Sequence, residues 1–575
     1  MSATSTKARG KRIAIVGSGV SGLGAAWLLS QHSPHSVTLY EKEDYVGGHT
    51  HTVMYQPPTP APGATRTDND AGPVPAPVPV DTGFIVYNRL TYPNLINFFK
   101  TLDVATEGSD MSFAVSRDRG RFEWAGSDLT TLFAQVSNLW RPEFWRMLYD
   151  IIRFNHLATD LLSDSAVGDP TKLTIGEYLD RHGYSEAFRR DYLIPMTAAV
   201  WSTPMDKCAL AFPAYTLIKF MHNHCLLNIL NRPQWRTVTG GSWSYVRKVV
   251  AGLRDIRTGT AIVSIVRRPS ATTGNTTVEI VDSQGRTEQF DHVVLSTHAD
   301  QSLAILGDDA TPEERALLSS FQFTSNHAVL HADPSLMPAR RAAWCSWNYL
   351  MRSADFKDLR HHGQTAVTSA QVTKLGGTDT DTTRSTNLPD NISLTYWMNR
   401  LQNIPEDQYG PILVSLNPLY PPRPELTLGQ WDYTHPLVTP ESVAAQARLA
   451  QYQAQQFVWI DREPTHGDDG GSVDQDTVAV TTSAPMQTSF CGAWTKYGFH
   501  EDGLTSGLNV ATALGATCPF EISDATHIRD TPAPSSALLR GMFAVLNLLF
   551  ANSGPIFGAV LLTVLLTLAI QSYGI

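Results

Sequence analysis

The sequence has few cysteines and places them in no pattern. Five occur in 575 residues, and none belongs to a C-x-x-C pair, which argues against a disulfide framework and a zinc ribbon and favours a reducing compartment. A block of lysine and arginine is also missing, and 44 basic residues face 54 acidic ones, for a formal net charge of -10. Without a basic surface there is no electrostatic basis for binding a phosphate backbone, so nucleic acid is not an expected partner.

The N-terminus lacks the apolar stretch and cleavage site of a secretory signal, and residues 1–10 are expected to be disordered. At the other end charge is missing, because no Asp, Glu, Lys, Arg or His occurs from Gly541 to Ile575. Residues 556–570 (IFGAVLLTVLLTLAI) predict a single C-terminal transmembrane helix. It would anchor the protein in a membrane, expected to be the endoplasmic reticulum, with the catalytic domain in the cytosol. A re-entrant hairpin with residues 541–550, or a buried pair of helices, is the alternative.

Between the two ends, predicted strands alternate with helices. Strands are predicted at 12–16, 37–40, 260–266 and 292–296, with a hairpin around 282–285, and this alternation indicates an α/β sheet. Segments rich in Pro, Gly, Thr or Asp are expected to be surface loops, namely residues 57–80, 376–390 and 462–477. Residues 91–235 are expected to be mostly helical, with an amphipathic helix at 142–162, and to form a cap over the sheet domain.

A glycine-rich turn follows the first predicted strand. An apolar, β-branched run leads into GSGVSG at residues 17–22, which continues into an apolar helix, the order that a dinucleotide fingerprint requires. Gly17 permits the turn, Gly19 lets the backbone approach a pyrophosphate, and Gly22 lets helix and strand pack closely. The second strand ends at Glu41, whose carboxylate can bind both hydroxyls of a ribose. The pattern predicts a site for the ADP part of NAD or FAD.

Other segments distinguish FAD from NAD. GGHTHTV begins at Gly47, VDTGFIVYN at Val80 and GFHEDGLTSG at Gly498. Together they resemble the flavin-containing amine oxidase superfamily, which includes phytoene-type desaturases, over about residues 11–517. Within it the chain is most similar to a branch of predicted FAD-binding oxidoreductases, which shares the segments DMSF, WSTP, CSWNYL, TYWMNRLQ and QWDYTHP. The resemblance implies noncovalently bound FAD and removal of hydride from a carbon atom of a small-molecule substrate.

The resemblance also implies an α/β fold in which a discontinuous, Rossmann-type FAD-binding domain carries an α+β substrate or cap domain, here followed by the C-terminal transmembrane helix. The expected limits are 11–90, 236–300 and 485–520 for the three FAD-binding parts, with the proline-rich insertion inside the first. The helical cap would span 91–235 and the substrate domain 301–484, followed by a linker at 521–540 and the membrane tail at 541–575.

Residue by residue, the resemblance implies a set of FAD contacts. The pyrophosphate would lie on the glycine turn, formed by Gly17, Ser18, Gly19, Val20, Ser21 and Gly22. Glu41 would bind the adenosine ribose, Gly47 and Gly48 would pass close to the phosphates with the cofactor residue His49 after them, and Val263 would meet the adenine through its backbone. The isoalloxazine ring would lie over Thr82, Gly83, Phe84 and Ile85, with its pyrimidine end covered by the stretch 498–507, which contains Glu501 and Asp502. Gly492 would be a further FAD contact. Here a helix N-terminus would stabilise the negative charge of reduced flavin.

Three further residues are candidates for catalysis. His500, beside two carboxylates, is the candidate acid or base, with a structural role toward the flavin as the alternative. Phe499 stands where amine oxidases place an aromatic-cage tyrosine, and His49 stands where they have an arginine. Lys496 is expected near the flavin plane, where it would order a water molecule or proton, with a solvent-facing side chain as the alternative. The histidine pairs at 49/51 and 222/224 lack a third ligand, so no metal is expected.

The expected substrate is a lipid such as a fatty acyl chain, which the enzyme would desaturate or isomerise. The apolar tail, the apolar cap and Phe499 favour this interpretation. An amine oxidase that releases hydrogen peroxide is the first alternative, and a flavin-bound membrane scaffold without turnover is the second.

Overall fold

The computed structural model describes residues 10–57, 75–163, 173–202, 210, 212–228, 232–269, 276–353, 393–457, 487–525 and 529–552. The strands are β1 Arg12–Val16, β2 Ser36–Tyr40, β3 Thr52–Tyr55, β4 Val78–Asp81, β5 Tyr87–Asn88, β6 Thr106–Gly108, β7 Phe113–Arg117, β8 Phe122–Ala125, β9 Trp235–Val238, β10 Asp255–Arg257, β11 Ile262–Pro269, β12 Thr276–Asp282, β13 Thr287–Phe290, β14 His292–Leu295, β15 Phe323–His331, β16 Trp347–Met351, β17 Ser393–Trp397, β18 Leu413–Leu416, β19 Thr427–Pro436 and β20 Thr488–Phe490. The predicted disordered N-terminus and the loops at 376–390 and 462–477 lie outside the described residues, apart from Gly10.

The helices range from single turns to 18 residues. They are α1 Val20–His32, α2 Pro93–Thr101, α3 Leu129–Leu132, α4 Pro142–Leu157, α5 Asp160–Ser163, α6 Ile175–Arg181, α7 Glu186–Phe188, α8 Ile194–Trp201, α9 Ala214–Asn223, α10 Trp243–Val250, α11 Ala299–Leu306, α12 Pro312–Leu318, α13 Met398–Leu401, α14 Glu406–Tyr409, α15 Pro440–Phe457, α16 His500–Ala513 and α17 Ala537–Asn552.

A five-stranded parallel sheet forms the first core. Its order is β10-β2-β1-β14-β20, so three well-separated stretches of chain build it. In the central strand β1, Ile13, Ala14 and Ile15 are fully buried, as expected of an apolar strand covered on both faces. The predicted strands near 12–16, 37–40 and 292–296 are confirmed. The carboxyl ends of these strands meet at one edge, where α1 begins.

A seven-stranded mixed sheet forms the second core, in the order β19-β15-β18-β17-β16-β7-β8. The helices between residues 129 and 223 pack with it into one large apolar cluster. The expectation of a mostly helical stretch at 91–235 is therefore only partly correct, because β7 and β8 join this sheet through β16. The limits of the domains stay a prediction.

A buried histidine in β15 makes the stability of this second sheet sensitive to acid. His331 is fully buried. Its Nδ1 accepts the backbone N–H of Asp333 at 3.1 Å, and its Nε2 lies 2.8 Å from the hydroxyl of Ser415. The N–H of Asp333 can only donate, so a proton on Nδ1 would face another proton. Burial lowers the pKa of His331 to about 4.

We expect the His331→Asn variant to lose less stability in acid than the unaltered protein. A lowered folded-state pKa means that the contribution is complete above pH 6.5 and is lost as the pH falls toward 4, because only the unfolded chain binds the proton. Between pH 7.0 and 5.0 the unaltered protein should lose about 2 kcal/mol more of its free energy of unfolding than the variant does. Urea unfolding of both proteins at the two pH values checks this, and equal losses would contradict it.

The C-terminal part of the chain departs from prediction. In the ranges that the structure describes, no helix is both long and apolar enough to cross a bilayer. The prediction of a C-terminal transmembrane helix, and of a single-pass anchor with a cytosolic catalytic domain at the endoplasmic reticulum, is therefore not supported by the described residues. Residues 556–570 themselves lie outside the described residues. The 16-residue helix α17, which precedes them, packs on α4, with Phe543 buried and the hydroxyl of Tyr149 donating to the Phe543 carbonyl at 2.8 Å.

The first predicted loop also needs a correction. Residues 57–80 were expected to be a surface loop throughout, whereas Val78–Asp81 forms β4 and pairs antiparallel with β3. Val80 and Asp81 are fully buried, whereas Val78 and Pro79 are partly exposed. This pairing places the next residues, Thr82 to Ile85, against the edge of the parallel sheet.

Candidate active site

The glycine turn forms an open cradle of backbone at the start of α1. Gly17 has φ +101° and its N–H donates to the Tyr40 carbonyl, which closes the turn after β1. A Cβ added to Gly19 would meet no atom within 4 Å, whereas one added to Gly48, at φ +57°, would lie 3.1 Å from the Gly19 Cα. The two glycine-bearing loops thus pack backbone against backbone, and a space without side chains lies in front of Gly19. Such a space at a helix N-terminus fits a pyrophosphate.

Glu41 and Ser18 connect these loops. Glu41 Oε2 accepts from the Ser18 amide at 2.9 Å and from its hydroxyl at 2.5 Å, and the same hydroxyl accepts from the Gly47 amide at 3.1 Å. Val263 lies near by on β11, where the register with β12 skips it and its side chain is 51% exposed. The backbone of Val263 is thus outside the regular ladder. The positions suit the predicted ribose and adenine roles of Glu41 and Val263, which stay predictions.

A cavity of about 170 Å³ lies beyond the glycine loops, between the two sheets. Its floor comes from the dinucleotide side, with His49, residues 82–85 and His500. The segment Thr82 to Ile85 runs so close to His49 that a Cβ on Gly83 would lie 2.2 Å from the His49 carbonyl oxygen. Aromatic residues supply most of the walls, namely Trp201, Phe220, Trp347, Tyr396 and Tyr433 from the cap and the second sheet, with Tyr497 and Phe499 from the turn before α16.

His500 lies in the floor as a neutral ring. It stacks on Phe84 with centroids 3.6 Å apart, and its Nε2 lies 3.0 Å from the hydroxyls of both Thr50 and Tyr245. Burial, together with His49, lowers the pKa of His500 to about 3. Near neutral pH the ring has no proton to give as an imidazolium. The geometry agrees better with the structural alternative than with acid or base work, and the role of His500 stays a prediction.

The structure brings two of the three predicted catalytic residues together. Phe499 lines the cavity beside His500 and stacks on Phe220, with centroids 5.1 Å apart. Lys496 is exposed and lines a separate groove of about 860 Å³ between α15 and α16. The solvent-facing alternative for Lys496 is thus the one that the structure shows.

The acidic residues after His500 hold neighbouring backbone in place. Both carboxylate oxygens of Glu501 accept N–H groups at the start of α2, from Asn94 and Leu95 at 2.9 Å each. Asp502 accepts from the Phe499 amide at 2.9 Å. Burial raises the pKa of Glu501 to about 8 and that of Asp502 to about 7. These groups fix the N-terminus of α16, while Gly492 lies beneath it with its N–H donated to Ser506 at 2.9 Å.

Two residues of the cavity wall were missed. Tyr433 and His435 lie two apart on β19 and so share one face of the strand. The hydroxyl of Tyr433 lies 2.7 Å from that of Thr82, and the His435 ring lies 5.2 Å from the His49 ring. The segment QWDYTHP contains both, and its period-two alternation was the signal that could have found them.

The arrangement defines a class of protein. A parallel sheet, a glycine turn at a helix N-terminus, a carboxylate at the end of the next strand and a cavity at the same edge are the parts of a dinucleotide-dependent oxidoreductase. In the described part of the chain, no three His, Cys, Asp or Glu residues are grouped to hold a metal ion.

The chain belongs to the family of flavin-containing amine oxidoreductases, whose model matches residues 20–335. FAD is therefore the cofactor, and the open cradle at Gly19 and Gly48 fits its pyrophosphate. No curated protein matches the chain. A fatty acid isomerase from P. acnes that produces CLA is similar in structure, with TM-score 0.50 and 14% identity over 88% of this chain and 99% of that one. Cyclohexylamine oxidase from Brevibacterium oxydans IH-35A has TM-score 0.48 and 14% identity over 88% and 98%.

Proposed function

We propose that the protein is an FAD-dependent oxidoreductase that acts on a carbon atom of an uncharged, largely apolar substrate such as a fatty acyl chain, by desaturation or double-bond isomerisation. One observation carries the proposal. Among the described residues that line the cavity there is no Asp, Glu, Lys or Arg. A substrate with a fixed charge would leave water there without meeting a counter-ion, which costs several kcal/mol, about 3 or more.

The histidines of the cavity do not supply that charge. Burial lowers the pKa of His49 and His224 to about 4, and those of His435 and His500 to about 3. All four rings are neutral near pH 7. They can form hydrogen bonds to an uncharged group, but they cannot balance a carboxylate by being cationic.

The aromatic side chains in the cavity walls favour an apolar substrate over a charged one. Phe220 and Phe499 stack against each other, and Trp347 meets Tyr396 edge to face with centroids 4.9 Å apart. Phe499 lacks the hydroxyl of the tyrosine that the amine oxidases place there, which supports an apolar substrate over an amine. FAD, when bound, supplies the two-electron redox chemistry. The described side chains orient the substrate and keep water away.

Matched substrates test the proposal. Methyl linoleate and linoleylamine share one alkyl chain and differ in the charge of the end group. We expect the anaerobic holoprotein to bleach its flavin bands with the ester, or to shift the double bonds of the ester, and to leave the amine unchanged. Bleaching by the amine, with hydrogen peroxide formed in air, would replace the proposal with an amine oxidase. If dithionite reduces the flavin but neither the ester nor the amine changes it or is changed, the result would favour the scaffold alternative.

A charge placed in the cavity wall should abolish turnover of the ester. Val200 lines the cavity at the end of α8 and is half-buried. We expect Val200→Asp to lower kcat/KM for methyl linoleate about a hundredfold, because the new carboxylate keeps water in the cavity. Val200→Thr keeps the shape of the valine and adds a hydroxyl without a charge, which costs far less to bury than a carboxylate, so it should stay within about threefold. Equal effects of both variants would contradict an uncharged substrate site.

A further inference from the structure

A chain of buried amides fixes the direction of one hydrogen bond to His435. The His327 backbone N–H donates to Asn417 Oδ1 at 2.8 Å, and Asn417 Nδ2 donates to Asn326 Oδ1 at 2.7 Å. Asn326 Nδ2 lies 2.8 Å from His435 Nδ1. A backbone N–H can only donate, so every later link has its direction set. Asn326 must therefore donate to His435.

This direction determines which nitrogen of His435 bears the proton. Nδ1 is an acceptor, so a neutral ring has its proton on Nε2. A second proton on Nδ1 would face the Asn326 amide hydrogens, which opposes an imidazolium. Asn326 is fully buried, so water cannot replace it. Asn417 holds its place at φ +46°, in the left-handed region that asparagine tolerates better than most residues.

The free nitrogen of His435 belongs to the dinucleotide side of the cavity. The ring lies 5.2 Å from that of His49, and His49 follows the glycine that faces Gly19. The next residue, Pro436, lies 3.1 Å from the position that a Cβ on Gly498 would take, just before Phe499. Within the described ranges, only Nδ1 of His435 has a hydrogen-bond partner. The Nε2–H is thus a neutral donor without a protein acceptor, beside the loops that hold the cofactor.

We propose that His435 Nε2–H donates a hydrogen bond to an acceptor atom of the FAD isoalloxazine ring, and that Asn326 and Asn417 are positioning residues that keep this donor neutral and correctly protonated. The proposal needs FAD in the cavity and is independent of the substrate class. A donor near a ring that carries more negative charge after reduction stabilises the reduced form more than the oxidised form. His435 therefore favours reduction.

The first test measures the tautomer directly. In holoprotein labelled with ¹⁵N-histidine, the His435 signals are assigned by their loss in His435→Gln. We expect a protonated Nε2 and an unprotonated Nδ1. In Asn326→Asp the new carboxylate accepts rather than donates, so Nδ1 should become protonated. The control His327→Gln changes an exposed ring next to Asn326 on β15, keeps the backbone N–H that donates to Asn417, and should leave the pattern unchanged. A protonated Nδ1 in the unaltered protein would overturn the proposal.

The second test measures the effect on FAD. The flavin of each holoprotein is equilibrated anaerobically with a reference dye. We expect His435→Leu to lower the equilibrium constant for reduction about tenfold, and His435→Gln, which keeps an N–H donor, to recover most of it. His327→Gln again serves as the control. If the leucine variant is reduced as readily as the unaltered protein, His435 does not donate to the flavin, whatever the substrate. If it fails to bind FAD, the tautomer measurement still decides.

Discussion

The Gly19→Val variant should fold normally and lose FAD. A Cβ at this position would contact no protein atom within 4 Å, so the substitution has no cost inside the described structure. The added carbons instead fill the space in front of the α1 N-terminus, where the pyrophosphate must approach the backbone. Losing two charge-assisted hydrogen bonds costs about 3 kcal/mol or more. We therefore expect FAD to bind at least about a hundredfold more weakly.

Fluorescence titration of the apoprotein with FAD measures this affinity, and thermal unfolding of the same apoprotein shows whether the fold persists. Gly541→Val is the matched control, because Gly541 in α17 also has no atom within 4 Å of an added Cβ and lies far from the glycine turn in sequence. That variant should bind FAD like the unaltered protein. If Gly19→Val did so as well, the turn would not be the pyrophosphate site.

The dinucleotide half of the fold was predictable because its signals are local. The run from Ile13 to Val16, the turn at Gly17 and the carboxylate at Glu41 lie within thirty residues. Each element there is specified by its own apolar pattern or by a glycine at a position whose backbone conformation favours glycine. The structure places them in one parallel sheet in the order that the fingerprint implies.

The second sheet was not predictable in the same way, because its pairings are distant in sequence. Strand β7 at Phe113–Arg117 pairs with β16 at Trp347–Met351. The cap is rich in aromatic residues, which occur in buried strands and in buried helices. The local sequence of β7 therefore does not show that it is a strand, because its partner is far away in the chain. The C-terminus failed for a related reason. Residues 541–550 were expected to belong to the membrane tail, whereas Phe543 in α17 packs against the distant helix α4.

The site shows where a motif stops being informative. Phe499 and His500 line the cavity, yet Lys496, three residues before Phe499, lines the separate groove between α15 and α16. The hydrogen bonds from Asn417 through Asn326 to His435 join three separate parts of the sequence. Only the folded sheet brings such residues together, so sequence reasoning had no pattern from which to infer them.

Gly507→Ala should destabilise the dinucleotide half of the fold more than the substitution of Gly24 or Gly541 by alanine does. The helices α1 and α16 touch at this glycine, and an added Cβ would lie 2.0 Å from the Ser21 carbonyl oxygen and 3.2 Å from the Ala25 amide nitrogen. Both atoms belong to the backbone of α1, which cannot move without leaving β1. Overpacking of this kind costs about 3 kcal/mol or more in unfolding free energy.

Alanine substitutions at two other glycines serve as controls for the stability loss expected of Gly507→Ala. A Cβ on Gly24, on the same helix pair, would meet Leu504 Cδ1 at 2.7 Å, the far end of a side chain that can rotate away. Gly24→Ala should therefore cost about 1 kcal/mol or less, since helix propensity offsets the contact. Gly541→Ala meets nothing and should gain up to about 1 kcal/mol. Urea unfolding of the three variants measures the series. If Gly507→Ala ranked with Gly24→Ala, the backbone contact between α1 and α16 would not be the constraint that keeps the glycine turn in place for FAD.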